Sequence, residues 1–362
     1  MSGFSKHARK IGRNLLVLIA LFALIAAGYV GYVFLSYGRI PDDQVIAIPA
    51  HVDHSARTGE SYVITTSNMG FGAYNPAFSF FMDGGERSRA QSVDVVYEAT
   101  MGLALEGLKQ NADFALFQEV DIASDRSWHY NQLEALKGRL SGFIPLFALN
   151  YDSAYLYYPP GDPIGKSKSG IATFSRYDVA DARRYSLPIM QDFTKVFDLD
   201  RCYSVSRVSL QGGKQLCLYN VHLSAYISDE AVQRAQLEAL MGAMKRDYEQ
   251  GNHVICGGDF NRDLAGDSAT KFGFETGNMS WTHPFPTEYL PEGFTIRADD
   301  TTPSCRNANE PYREGHTYVI TVDGFITSGN VAVEQVRTID TGFAYSDHNP
   351  VMMRFSLQQE PG

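Results

Sequence analysis

From Leu15 to Leu35 the chain runs for 21 residues without a charge, and this stretch limits what the molecule can become more than any other. As a helix rising roughly 1.5 Å per residue it is about 30 Å long, the thickness of a bilayer's hydrocarbon core. Two other readings compete with a membrane span. A secretory signal could be cut at Ala26-Ala27-Gly28, but its apolar region usually covers about 7 to 15 residues. Here the apolar run continues past Gly28 through Tyr29-Val30-Gly31-Tyr32-Val33-Phe34. A buried core helix fits less well, because no polar stripe marks a solvent face. The expectation is an uncleaved transmembrane helix over residues 15–35.

Lys6, Arg9, Lys10 and Arg13 precede the run, whereas Arg39 alone follows it closely, with Asp42 and Asp43 behind. Basic flanks stay on the cytoplasmic side. A single-pass protein of the cell membrane follows, with residues 1–14 cytoplasmic and everything after the span extracytoplasmic. Residues 36–60 read as a linker, and 61–357 as one catalytic domain near the upper size that a single core supports. No internal repeat or Gly/Ser-rich spacer divides it.

Residues 1–40 hold five Lys/Arg and no acid, which leaves 26 basic and 41 acidic residues, a formal charge of −15, for the remainder. A broad basic footprint for nucleic acid is therefore not expected, although a local basic groove is compatible with that total. Cys202, Cys217, Cys256 and Cys305 have neither metal-site spacing nor a CxxC pair, which argues against zinc thiolate chemistry. Cys256, inside Val254-Ile255-Cys256, reads as a small buried hydrophobe. An extracytoplasmic location permits a disulfide among the other three, with the pairing open.

Several β-rich runs end in polar strings. Tyr62-Val63-Ile64 leads to Asn68, Asp113-Phe114-Ala115-Leu116-Phe117 to Gln118-Glu119, and Val254-Ile255-Cys256 to Gly257-Gly258-Asp259-Phe260-Asn261. Apolar spacing over about Ser92–Leu108 and Ala231–Tyr248 predicts amphipathic helices. Gly212-Gly213 between Tyr203–Leu210 and Leu216–His222 predicts a hairpin. Asp259 and Asn261 share a side if the strand continues, and Ser346-Asp347-His348 adds an acid–imidazole pair. Hard oxygen ligands together with acid–base groups suit Mg²⁺-assisted attack of water on a phosphoester.

In their order these strings resemble the blocks of the endonuclease/exonuclease/phosphatase superfamily, from about Tyr62 to Phe355. They are Thr66-Ser67-Asn68, Gln118-Glu119-Val120, Ser169-Gly170 to Arg176, Tyr219-Asn220-Val221-His222, Gly258-Asp259-Phe260-Asn261, Val322-Asp323-Gly324 and Ser346-Asp347-His348. The resemblance implies an α/β, DNase I-like four-layered sandwich of two mixed β-sheets with flanking helices. It implies Glu119 as the main Mg²⁺ ligand, with Asn68 beside it and Asp347 as a further acidic contact, and Mn²⁺ as a substitute ion. Asp259 is implied to orient or deprotonate the attacking water and Asn261 to hold the water or a phosphoryl oxygen. His348, oriented by Asp323, serves a non-bridging oxygen or acts as base, and His222 stabilises the transition state or leaving group. Taken singly, each of these residues has an ordinary reading: a solvated strand end for Glu119, turn chemistry for Asp-x-Asn, a structural role for either histidine.

Other features are weaker. Gly161-Asp162-Pro163-Ile164-Gly165-Lys166-Ser167 imitates a phosphate loop, but it has three residues between its glycines where four are needed and leads into a β-like run. Lys166 and Lys168 face either a substrate phosphate or plain solvent. Tyr151–Tyr158 is either a groove wall or an ordinary half-buried strand. Phe78-Ser79-Phe80-Phe81-Met82, apolar where a loop should be polar, is expected to border the site or touch membrane. The function expected is hydrolysis of a phosphodiester or phosphomonoester in a lipid headgroup, a small phosphoester or nucleic acid, with no protein partner. The alternatives are an extracellular nuclease of the same fold and a catalytically silent interaction domain.

Overall fold

The computed structural model describes residues 2–192, 195, 199–225, 230–274 and 283–359. Its strands in chain order are β1 (Gln44–Val45), β2 (Ser61–Asn68), β3 (Phe114–Asp121), β4 (Ile144–Asp152), β5 (Lys168–Ser175), β6 (Val179–Ser186), β7 (Cys202–Ser209), β8 (Gln215–His222), β9 (His253–Asp259), β10 (Thr295–Arg297), β11 (Cys305–Arg306), β12 (Val319–Ile320), β13 (Asp323–Thr327), β14 (Val331–Thr338) and β15 (Val351–Leu357). One seven-stranded sheet runs β1-β6-β7-β8-β9-β13-β10, and a six-stranded sheet runs β14-β15-β2-β3-β5-β4. Both are mixed: β8–β9 and β2–β3 pair in parallel, and their other pairings are antiparallel.

Alternation along the strands builds three apolar layers. Phe114 and Leu116 of β3 meet Leu216 and Leu218 of β8 and Ile255 of β9 between the sheets. Intervening residues face outward under helices. Ala115 and Phe117 pack with Leu103 of α2 (Val93–Lys109) and with Leu133 and Leu136 of α3 (Gln132–Arg139). Tyr219, Val254 and Cys256 pack with Leu237, Leu240 and Met244 of α4 (Glu230–Glu249). The helix–sheet–sheet–helix order is the DNase I-like sandwich, and α2 and α4 fall where apolar spacing predicts them. The β7–β8 hairpin turns at Gly212 and Gly213, whose φ values of 107° and 89° lie where a side chain is disfavoured.

The first helix covers Ser2–Ser36, and its segment His7–Ser36 is long and apolar enough to cross a membrane. Its apolar side chains are exposed, Leu16 by 68% and Phe22 by 74%, which is the opposite of a buried core helix. Residues 36–60 are fastened along the domain. Gln44–Val45 pairs with β6, Ile46 and Ala56 join the inter-sheet core, and the Ile40 amide donates to Asp200 Oδ2 at 3.0 Å. All four cysteines are free and buried.

Candidate active site

Strand register gathers the polar strings. His222 ends β8 directly beside Asp259, which ends β9, and Asp323, which opens β13, faces Asp259 from the other side. One imidazole and two carboxylates thus occupy one row across neighbouring strands. At Gly258, φ is 151° and an added Cβ would lie 2.0 Å from the Val221 carbonyl oxygen, so any side chain would drive β8 and β9 apart. Across the sandwich, Asn68 closes β2 and Glu119 sits in a bulge of β3, where the register against β5 shifts between Phe117 and Val120. The bulge breaks strict alternation and turns Glu119 into the cavity. Glu119 and Asn261 have φ of 53° and 48°, a left-handed conformation that costs non-glycine residues on the order of 1–3 kcal/mol. Both strained residues line the same cavity.

Behind Glu119 a fully buried amide pair joins the sheets. Gln118 Nε2 donates to Asn220 Oδ1 at 2.8 Å, while Asn220 Nδ2 donates to the Ala172 carbonyl at 2.9 Å and the Phe117 carbonyl at 3.3 Å. Asn220 therefore donates to carbonyl oxygens on both strands beside the bulge and ties the second sheet to it, each such bond contributing about 0.5–1.5 kcal/mol.

Of the eight residues expected at the site, Glu119, His222, Asp259, Asn261, Asp347 and His348 line one cavity of about 380 Å³. The other two stand directly behind. Asn68 Nδ2 donates to Asp259 Oδ2 at 2.9 Å and to Glu119 Oε1 at 3.3 Å, and its Oδ1 accepts from the Gly70 amide at 2.9 Å. Those partners fix the amide's orientation: nitrogen toward the carboxylates, oxygen toward the backbone. Asp323 Oδ2 lies 2.7 Å from His348 Nδ1 and accepts from Ser304 Oγ at 2.8 Å. Asn261 Nδ2 donates to the Leu223 carbonyl, and its amide N–H donates to Asp259 Oδ1, both at 2.8 Å.

Charge divides the two histidines. Burial alone would lower the pKa of His348, but the carboxylates of Asp323, Asp347 and Asp259, with the Cys305 thiol, raise it well above its ordinary value. Burial, followed by Arg201, His348 and Arg126, pushes His222 well below its ordinary value. The two imidazoles are thus biased in opposite directions, His348 toward its charged form and His222 toward its neutral form. Burial raises Asp259 despite His348. Burial also raises Glu119 and Asp347, with Asp347 adding to the effect on Glu119.

These donors fit a divalent cation. Glu119 and Asp347 are desolvated carboxylates facing one cavity, and a hard oxygen-seeking ion relieves both their burial and their mutual repulsion. Asp259, Asp323 and His348 also bring potential ligand atoms within 4.8 Å of one another. The Asp323–His348 hydrogen bond, however, commits His348 Nδ1 and Asp323 Oδ2 to each other, which makes this set a poorer cation cage than Glu119 and Asp347.

Sequence reasoning missed three arginines and a cysteine on the cavity wall: Arg126, Arg201, Arg306 and Cys305. Arg126 forms a two-point pair with Asp121, at 3.0 and 2.8 Å. Arg306, 1% exposed, donates to the carbonyls of Tyr74, Asn75 and Asn307. Neither arginine sits in a string that distinguishes it from surface charge. Lys166 and Lys168 lie outside this cavity and pair loosely with Asp152, at 3.8 and 3.6 Å. The phosphate-loop imitation leads into β5, as its β-like continuation predicts.

A family model described as endonuclease/exonuclease/phosphatase family matches residues 68–348, and its limits are the site residues Asn68 and His348. The chain belongs to that family. It is accordingly a metal-dependent phosphoric ester hydrolase. Solved structures agree on the fold. An endonuclease/exonuclease/phosphatase from Beutenbergia cavernae DSM 12333 superposes with a TM-score of 0.57 at 16% identity, over 83% of this chain and 72% of that one. A family protein from Bacteroides vulgatus gives 0.53 at 16% identity over 83% and 100%. D. rerio TDP2 complexed with single-strand DNA product gives 0.51 at 16% over 82% and 99%. Curated protein sequences yield no match.

Proposed function

We propose that this family member is a membrane-anchored, Mg²⁺-dependent phosphoesterase of the cell membrane, with its N-terminus in the cytoplasm and its catalytic domain, residues 61–357, outside. The observation that carries the reading is one cavity that gathers the carboxylates of Glu119, Asp259 and Asp347 with the imidazoles of His222 and His348. Mg²⁺, or Mn²⁺ in its place, supplies a Lewis acid for a phosphoryl oxygen. Glu119 and Asp347 would hold it, and Asn68 steadies Glu119 and Asp259 together through its amide nitrogen.

Asp259 orients the attacking water and accepts its proton, a task suited to a carboxylate whose pKa burial has raised. Asn261, its nitrogen engaged with Leu223, offers its carbonyl oxygen to the same water. The imidazolium of His348 donates through Nε2 to a non-bridging oxygen, and Asp323 sustains that charge from Nδ1. His222 Nε2, 3.6 Å from Asp259 Oδ2, serves the developing leaving group. No protein nucleophile is needed. The acidic domain favours a lipid headgroup or small phosphoester over nucleic acid.

The test is hydrolysis of bis(4-nitrophenyl) phosphate and 4-nitrophenyl phosphate by the full chain. Glu119→Gln keeps the shape and removes the charge, so turnover should drop at least about a hundredfold. Chelation should abolish activity and Mg²⁺ restore it. Full activity in chelator, or an unaffected variant, sinks the mechanism.

A further inference from the structure

The cavity has two chemically different ends. Glu119, Asp259 and His348 form one, and Phe71, Phe80, Leu156 and Ile164 form the other. Phe71, at the heart of the apolar end, is a poor platform for a nucleobase. The Arg126 guanidinium stands 4.1 Å from its ring centre, and Tyr74 packs against it near-perpendicular at 5.3 Å, so the space a stacking base would need on that ring is contested. What remains is an irregular hydrocarbon wall, suited to a flexible chain.

That wall continues outward to an apolar rim. Met82 and Tyr158 line the cavity yet are 56% and 62% exposed, and Tyr158 lies 5.7 Å from Phe81, ring centre to ring centre. The rim leads directly to the membrane helix. Tyr29 Oη donates to the Tyr155 carbonyl at 3.2 Å and accepts from the Tyr157 amide at 2.8 Å, while the Tyr155 amide donates to Tyr32 Oη at 3.2 Å. Tyr29 is six residues inside the end of the apolar run, about 9 Å at 1.5 Å per residue. These bonds hold the Tyr155–Tyr157 backbone against the outer half of the helix, and so place the cavity rim beside the bilayer that the helix would span.

We infer that the substrate is an amphiphile of the bilayer that holds the anchor, with its phosphate at the carboxylate end of the cavity and its hydrocarbon chain along the apolar end toward Met82 and Tyr158. The inference rests on the membrane-anchored phosphoesterase reading and names the substrate class for that site. Lipid enters sideways past the rim, without leaving the interface.

Ethyl, butyl and hexyl phosphate, all water-soluble, test this on the full chain in nanodiscs with Mg²⁺. Their binding is read both by calorimetry and as inhibition of bis(4-nitrophenyl) phosphate hydrolysis. Each methylene that enters an apolar wall strengthens binding by up to roughly fourfold. Hexyl phosphate should bind at least about tenfold more tightly than ethyl, and Met82→Glu should cut that ratio at least about threefold. Equal affinity across the series overturns the inference, as does a single-stranded oligonucleotide that binds more tightly than hexyl phosphate. The two readings fail separately. A chain-length slope in calorimetry without hydrolysis removes the phosphoesterase reading and keeps the amphiphile, whereas hydrolysis with a flat series does the reverse.

Discussion

Replacing Asn220 with alanine should damage the site from behind without touching the cavity. The side chain is fully buried, accepts from Gln118 at 2.8 Å and donates to the carbonyls of Ala172 and Phe117 at 2.9 and 3.3 Å. Gln118 Nε2 retains Thr66 Oγ1 at 3.1 Å, so its loss is partial, and the 3.3 Å bond is the weaker of the two donated. At about 0.5–1.5 kcal/mol for each hydrogen bond lost, the three come to about 2–4 kcal/mol. For a domain of this size that is a fall in Tm of about 3–6 °C. The same change releases the carbonyl two residues before Glu119, whose left-handed conformation must be imposed by its surroundings. Glu119 should then point less reliably into the cavity, and the Mg²⁺ needed for half-maximal hydrolysis should rise about tenfold, a shift equivalent to about 1.4 kcal/mol. Calorimetric melting and a Mg²⁺ titration on bis(4-nitrophenyl) phosphate measure both effects. Asn220→Asp keeps the volume but sets a carboxylate against two carbonyl oxygens, and it should be at least as harmful. If both variants melt within about 1 °C of the parent and keep its Mg²⁺ requirement, the amide pair does not support the bulge.

Two further outcomes are expected. Asp323→Asn should preserve volume but permit the wrong His348 tautomer, lowering turnover with the melting transition intact. With His348→Ala the losses should be far from multiplicative, because residues acting as one unit are non-additive; a double-mutant cycle with four melting curves decides, and multiplicative losses would separate the pair. In intact cells, a membrane-impermeant thiol reagent should label a cysteine introduced in the catalytic domain at the exposed Lys214 but not one introduced at Ser5. Recovery of a soluble chain beginning near Gly28 would identify a cleaved signal instead.

Much of the architecture was legible in the sequence for local reasons. Val93–Lys109 and Glu230–Glu249 reveal themselves by helical spacing, and Gly212-Gly213 by turn chemistry. The polar strings at Asn68, Gln118-Glu119, His222 and Asp259 stand out because each interrupts an apolar strand at its end. Their convergence depends on register, which no single string contains. The pairing of His222 with Asp259 and of Asp259 with Asp323 is a property of three strands aligned together. Residues 36–60 misled because their composition is that of a loop, whereas the buried Ile46 and Ala56 pin them to the sheet.

The apolar half of the cavity was legible only in part: the run Phe78–Met82 stands out as apolar where a loop should be polar, and its Phe80, Phe81 and Met82 line the cavity. A carboxylate at a strand end is anomalous wherever it occurs, since burying it demands a partner or a task. Phe71 and Ile164 are not anomalous: such side chains fill ordinary cores, and only their arrangement around a void separates a wall from a core. They come from two distant segments, the turn after β2 and the loop before β5, so no periodicity connects them. Groups that act at phosphorus must be ionisable and closely spaced, and they leave short strings. Groups that choose what is attached to phosphorus need only be apolar and in place. In this chain, the residues gathered around the carboxylates are therefore the ones that short strings expose, whereas much of the apolar wall opposite them is assembled only by the fold.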